Sequence, residues 1–294
     1  MSNERIEVDY LRLQGPFFSN LDNRLIALQL VEQGLTNSAL IGPDGMIYMP
    51  SETFHKKPIM VERGSFRPVT WVNIDMMDSA RAAFREHVAS NTREGEHGPD
   101  DTVEIMEITM RNLLAGGMVD HKDFLARAEC ISAVGKFTLI SNYARYFRLA
   151  QYLWRYTKRP IGLVMGVPSL NEILNEKYYD VLEGGILESI GRLFKNDLKL
   201  YVYPYDDPQL GRVRRVKEET VSPKLQHLFA FLLDNDCIVG IEPQRDEYMH
   251  ILSRVVLQRI RDRDPEWETM VPPEVADLIK KRHYFGYNPE PVTH

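Results

Sequence analysis

The sequence predicts an α/β protein built on a doubly wound parallel sheet, with a C-terminal helical extension. Three observations carry this. From Pro58 onward, apolar strands alternate with amphipathic helices. Several of the strands, Phe137 to Ile140, Ile161 to Val167 and Leu198 to Tyr203, are near-continuous apolar runs, as expected of strands covered on both faces. A Gly64-Ser65 turn ends the first strand of the series and feeds a long helix. That is where an open sheet of this class binds phosphate, because backbone N–H groups and the helix dipole favour an anion there.

The elements follow in order. Asp22 to Gln33 carries apolar residues at helical spacing, with Asp22 as cap and Gly34 as stop. Ser38–Ile41 and Met46–Met49 flank Gly42-Pro43-Asp44-Gly45, a hairpin signal. Strands are expected at Pro58–Glu62, Thr102–Thr109, Lys136–Ser141, Ile161–Val167 and Leu198–Pro204. The intervening helices are expected at Val72–His87, His121–Val134, Tyr143–Tyr156 and Ile186–Phe194. Pro208 to Glu219 is polar and reads as a loop or linker. Beyond it, helices are expected at Lys224–Leu233, Asp246–Asp262 and Pro273–Lys281, then an extended tail from Tyr284 to His294. This divides the chain into an N-terminal helix and hairpin (1–57), a nucleotide-binding domain (58–207) and a helical extension (208–294).

Composition narrows the function classes. The 294 residues are 44% apolar, enough for a substantial core. The 36 Lys and Arg stand against 42 Asp and Glu, a formal net charge of −6, which argues against nucleic-acid partners held on a broad basic face. Cys130 and Cys237 lie far apart, with no metal-finger spacing, and read as buried thiols. No stretch approaches the ~20 apolar residues of a membrane span, and the polar N-terminus carries no signal-peptide pattern. A cytoplasmic protein with no membrane partner is expected, and the long helical extension suits a homo-oligomer.

Three stretches carry candidate chemistry. The first is Arg63 to Asn73, in which Gly64, Ser65, Phe66 and Arg67 form the anion-binding turn. Pro68 keeps Arg67 extended until Thr70 can cap the helix. Lys56 and Lys57, just before the strand, are candidates to reach over the site. The second is the bend Ser141-Asn142-Tyr143-Ala144-Arg145, at the carboxyl end of the third strand of the series. Ser141 and Asn142 can bind a ribose hydroxyl or phosphate oxygen, and Arg145 or Arg148 can pair a phosphate bidentately. The third is Glu183-Gly184-Gly185, paired glycines opening a helix. Met165-Gly166-Val167-Pro168 ends a strand with small residues and leaves room for a ligand base.

Gly64, Ser65, Phe66, Pro68 and Thr70 together resemble the G-x-F-x-P-x-[HT]-x-x-H motif of the nucleotidylyltransferase superfamily. They match the G-S-F-x-P-x-T variant of the nicotinate and nicotinamide mononucleotide adenylyltransferases, including bacterial proteins of nicotinate-nucleotide adenylyltransferase type. The resemblance implies a Rossmann-like domain that binds ATP with Mg²⁺ and joins an adenylyl group to a mononucleotide or related phosphate. It places Thr70 and Asn73 at the transfer site, and His121 on a helix comparable to one carrying a basic pair in that family. Asn73 stands where the family has its second histidine, and an amide cannot carry the positive charge that neutralises a transferring phosphate. Trp71 replaces a smaller residue, and the late I-S-x-T-x-x-R motif has no clear counterpart. These departures leave a nucleotide-binding or assembly subunit without transfer chemistry as the alternative. A third reading is an isomerase or lyase of a phosphorylated metabolite, with Glu107, His121 and Lys122 as acid and base. On the nucleotide reading, Gly64→Val is expected to abolish binding while leaving the fold mostly intact.

Overall fold

The structure is a computed structural model that describes residues 8–289. Asp22 caps α1 (Asn23–Glu32), its carboxylate accepting from the Arg24 N–H at 2.9 Å. The hairpin forms as expected, β1 (Ser38–Ile41) against β2 (Ile47–Tyr48), and a short α2 (Pro50–Thr53) follows. The alternating series then runs β3 (Ile59–Arg63), α3 (Trp71–Ser90), β4 (Val103–Thr109), α4 (Met110–Leu113), α5 (His121–Ala133) and β5 (Phe137–Ser141). It continues through α6 (Tyr146–Leu153), β6 (Ile161–Gly166), α7 (Val167–Ile173), α8 (Gly185–Leu193) and β7 (Leu198–Tyr203). The remainder holds β8 (Tyr205–Asp207), β9 (Arg212–Arg214), α9 (Gln226–Asp234), β10 (Ile238–Gly240), α10 (Ser253–Asp262) and α11 (Pro273–Arg282).

The main sheet is ordered β10-β7-β6-β3-β4-β5-β1-β2. The run from β10 to β5 is parallel throughout, and β1 joins β5 antiparallel. The chain builds from β3 toward one edge through β4 and β5, then returns to the other side of β3 with β6, β7 and β10. The order therefore reverses between β3 and β6. Loops leaving the carboxyl ends of those two strands diverge there and open a crevice.

Side chains alternate between two buried clusters, one on each face. Met60, Met106, Ile108 and Ile140 face a layer of α1, α3, α5, α10 and α11. Ile59, Val61, Ile105 and Leu139 face α6 to α9. On the first face Phe84 of α3 presses onto β6 at Gly162, where a Cβ would stand 2.9 Å from its ring.

Several expectations are corrected. Pro208 to Glu219 is not a simple linker: β9 pairs with β8, and Arg214 bridges Asp207 and Glu219. The extension is not purely helical, because β10 adds a parallel edge strand. Its apolar run is too short to signal a strand without its neighbour β7. The helix expected from Asp246 begins at Ser253, after a 3₁₀ turn at Asp246–Tyr248 and an extended Leu252. The described part of the expected tail forms a 3₁₀ turn at Tyr284–Gly286, and its end lies outside the described residues.

One carboxyl interrupts the apolar face of β3. Glu62 is buried; its Oε1 accepts from Asn73 Nδ2 at 2.7 Å, and its Oε2 has no partner. Burial pushes its pKa up to about 8, against the pull of the Asn73 hydrogen bond. Above the ordinary value of 4.5, the folded chain keeps a proton that the unfolded chain has lost. Stability therefore falls as pH rises from that value to about 8, then levels. We expect this group to contribute a slope approaching about 1.4 kcal/mol per pH unit, absent in Glu62→Gln. Urea unfolding of both proteins across that range checks this; parallel stability–pH curves would refute it.

Candidate functional site

Arg63 is the last residue of β3, and its guanidinium organises the carboxyl edge of the sheet. Nε and Nη2 donate to Glu107 at 2.6 and 2.9 Å. Nη2 also donates to the Tyr143 carbonyl at 2.8 Å, and Nη1 to the Ala144 carbonyl at 3.2 Å. Its carbon lies 4.3 Å from the Tyr146 ring centroid. Glu107 is fully buried and also accepts from Ser141 Oγ at 2.5 Å. Burial works against the Arg63 charge, but the Glu107 carboxylate outweighs it, so its pKa rises. One charged group thus ties the ends of β3, β4 and β5 to the bend that enters α6.

Above this pair opens a cleft of about 480 Å³, at the reversal between β3 and β6. Gly64 and Ser65 form its floor beside Arg63. Arg111 and Asn112 come from the segment after β4, Arg145 from the bend, and Ser169 and Glu172 from α7. Arg145 stacks on Tyr178 at 4.3 Å. Neither Arg111 nor Arg145 makes an ion pair among the described residues. Arg127 braces the cleft from behind, donating to the Ser65 carbonyl at 3.2 Å and to Asn112 Oδ1 at 2.7 Å. Asp123 holds Arg127 in turn, accepting from its Nε at 2.7 Å.

The expected site residues divide. Gly64, Ser65 and Arg145 line the cleft. Phe66 does not: its ring is buried in the core beneath Gly64, and its φ of +46° puts an aromatic residue in the left-handed region. A Cβ on Gly64 would stand 2.8 Å from that ring, so the glycine makes room for Phe66 rather than for phosphate. The Gly64 N–H is also spent, donating to the Glu107 carbonyl at 3.1 Å. Ser65 N–H makes no hydrogen bond among the described residues and remains available at the cleft. Arg67 turns away and pairs with Asp123 at 2.5 Å.

The start of α3 is not part of the cleft. Thr70 is buried, and its N–H and hydroxyl donate to Asn73 Oδ1 at 3.0 and 2.8 Å. Asn73 donates inward to Glu62, so it caps and braces the helix. Trp71 stacks on Tyr248 with centroids 5.5 Å apart. His121 opens α5 and lines no part of the cleft. Ser141 is buried under Glu107, and Asn142 points toward α1, donating to the Val31 carbonyl at 2.7 Å. Arg148, exposed, lies over the Phe147 ring at 5.2 Å and is not among the lining residues. Lys56 and Lys57 precede β3 and so sit at the amino ends of the parallel strands, the wrong rim. Glu188 fills the Gly184-Gly185 turn by accepting from Gly184 N–H at 2.9 Å. Glu107 is buried against Arg63 and Ser141, and neither His121 nor Lys122 lines the cleft, so the acid–base reading has no assembled site there.

Arg111, Asn112, Ser169 and Glu172 were missed from sequence. A signal existed, since Arg111 and Ser169 each lie within three residues of a parallel strand's carboxyl end, where ligands bind in this class of sheet.

No family model and no curated protein matches the chain. Among solved structures, it is similar to a Plasmodium falciparum nicotinic acid mononucleotide adenylyltransferase complexed with NaAD. The match has 10% identity and a TM-score of 0.43, covering 80% of this chain and 100% of that one. The same protein complexed with APC matches at 10% identity and a TM-score of 0.37, over the same shares. A putative nicotinate-nucleotide adenylyltransferase from Vibrio parahaemolyticus matches at 12% identity and a TM-score of 0.32, covering 78% of this chain and 95% of that one.

Two outcomes follow from the geometry. Gly64→Ala should destabilise the fold by about 1–3 kcal/mol through overpacking against Phe66, contrary to the expectation of an intact fold. That cost should shrink in a Phe66→Leu background, read by a double-mutant unfolding cycle. Glu107→Ala should cost about 3–5 kcal/mol, because it strands the Arg63 charge. Denaturant midpoints for that variant unchanged from wild type would remove Arg63 from its organising role.

Proposed function

We propose that this cleft binds a nucleotide or a related small phosphorylated ligand, and that the chain acts as a nucleotide-binding protein without efficient adenylyl transfer. The carrying observation is the convergence of Arg111 and Arg145, both without ion pairs among the described residues, on the Ser65 turn at the sheet reversal. Two guanidinium groups facing one carboxylate, Glu172, leave the wall net positive in an acidic protein. Each guanidinium can pair a phosphate bidentately, and the Ser65 and Ser169 hydroxyls can donate to the remaining oxygens. The Tyr179 ring and the Ile173 side chain supply an apolar wall for a base or sugar.

The groups that the motif resemblance assigns to transfer argue against fast chemistry. Thr70 and Asn73 are consumed in capping α3 and bracing Glu62, and His121 lies elsewhere. Arg111 and Arg145 are placed to hold a phosphate, but none of the groups assigned to the transfer step stands in the cleft, so the site favours binding over fast transfer. As for Mg²⁺, no group of three or more His, Cys, Asp or Glu among the described residues could hold a metal ion. The single wall carboxylate suits an ion carried in by a ligand's own phosphates.

Calorimetric titration with ATP, with and without Mg²⁺, tests the reading. Arg145→Ala should weaken binding by about 1.5–3 kcal/mol, the value of a charge-assisted contact. Pyrophosphate release with ATP plus nicotinate mononucleotide should stay near background. No binding of ATP would overturn the assignment, and rapid pyrophosphate release would restore the transferase reading.

A further inference from the structure

A second cleft, of about 450 Å³, lies between the residue-67 loop, the start of α5 and the C-terminal helices. Four segments distant in sequence bring cationic side chains to it: Arg67, Lys122, Arg261 and Arg282, with His283 beside them. Two carboxylates share the wall, and both are engaged. Asp123 accepts from Arg67 at 2.5 Å and from Arg127 Nε at 2.7 Å. Asp120 caps α5, accepting from the N–H groups of Lys122 and Asp123 at 2.9 and 3.1 Å. Lys122, Arg261 and Arg282 make no ion pair or side-chain hydrogen bond among the described residues. Like charges gathered in a concave site repel one another, a cost that a bound anion relieves.

The backbone is bent to form this wall. His283 and Phe285 have φ of 55° and 58°, both left-handed. The segment is held there by Tyr284, whose hydroxyl donates to Glu129 at 2.6 Å, and by the buried Phe285. Gly286 continues the turn with a φ of 88° beside the Arg261 stem. Leu125 and Ala126 give the cleft an apolar strip beside its charges.

We propose that this cleft is a second binding site, for a small phosphorylated metabolite whose phosphate group is held by Arg261, Arg282 and Lys122. Guanidinium forks match the oxygens of a phosphate, and the apolar strip accommodates the body that carries it. The limited volume of the cleft and the net charge of −6 select a small anion over an extended polyanion. The site shares Asp123 with the first cleft, since the same carboxylate holds Arg67 here and, through Arg127, the Ser65 carbonyl there. The assignment does not depend on what the first cleft binds.

The test uses the full chain, with inorganic triphosphate as probe at low ionic strength and Arg145→Ala as background. Calorimetry should show binding that persists in that background. Adding Arg261→Ser and Arg282→Ser should weaken it about tenfold or more. The Lys counterparts, Arg261→Lys with Arg282→Lys, keep the charge but lose the fork, and should bind more weakly than the parent and more tightly than the Ser pair. Both arginines are exposed, and matching thermal unfolding confirms that the variants remain folded. Equal affinity in the Ser pair and its parent overturns the proposal, as does a Lys pair as weak as the Ser pair. If the first-cleft reading fails, Arg145→Ala simply matches wild type and the Ser-pair comparison still decides this one.

Discussion

The carboxyl edge of the sheet depends on one buried ion pair. Arg63 and Glu107 meet bidentately across β3 and β4, and the spare donors of the guanidinium reach the carbonyls of Tyr143 and Ala144. Such a pair adds little net stability over a well-packed apolar substitute, because desolvating both charges offsets their attraction. Its effect is positional. With Glu107 also held by Ser141, the residue-141 bend cannot drift from the end of β3, and Arg145 is delivered to the same crevice as Ser65. A parallel sheet provides the reversal of strand order; this pair determines which side chains stand around it.

The same economy explains why the most distinctive segment of the chain is largely structural. Gly64, Phe66, Thr70 and Asn73 form a continuous brace from the core to the start of α3. Phe66 fills the space above β3, Gly64 yields to its ring, and Asn73 links the helix cap to the neutral Glu62 carboxyl. Each is a local solution to leaving a buried strand and entering a helix without an orphaned polar group. The exception is one Glu62 oxygen, left without a partner and tolerated because the group stays protonated.

Both clefts owe their charge to arginines that make no ion pair among the described residues. Some basic side chains elsewhere are neutralised: Arg81 bridges Asp78 and Glu104, and Arg159 pairs with Glu96. Arg111 and Arg145 in one cleft, and Arg261 and Arg282 in the other, differ in being gathered in concave sites. Arg127 and Asp123 lie between the two clefts and give them a common mechanical element.

The amino-acid sequence by itself determined the layered architecture. The doubly apolar runs at 137–140, 161–167 and 198–203 can be satisfied only between two helical layers, and the Asp22 and Asp120 caps set where their helices begin. It also located the crevice, through the Gly64-Ser65 turn and Arg145. Tertiary structure alone decided which polar groups remained available. A hydroxyl or amide reads the same in sequence whether it faces a ligand or a neighbouring backbone, as Ser141 and Asn142 show. The short strand at 238–240 and the basic cleft at the C-terminal helices were likewise illegible, because they exist only where segments far apart in the chain meet.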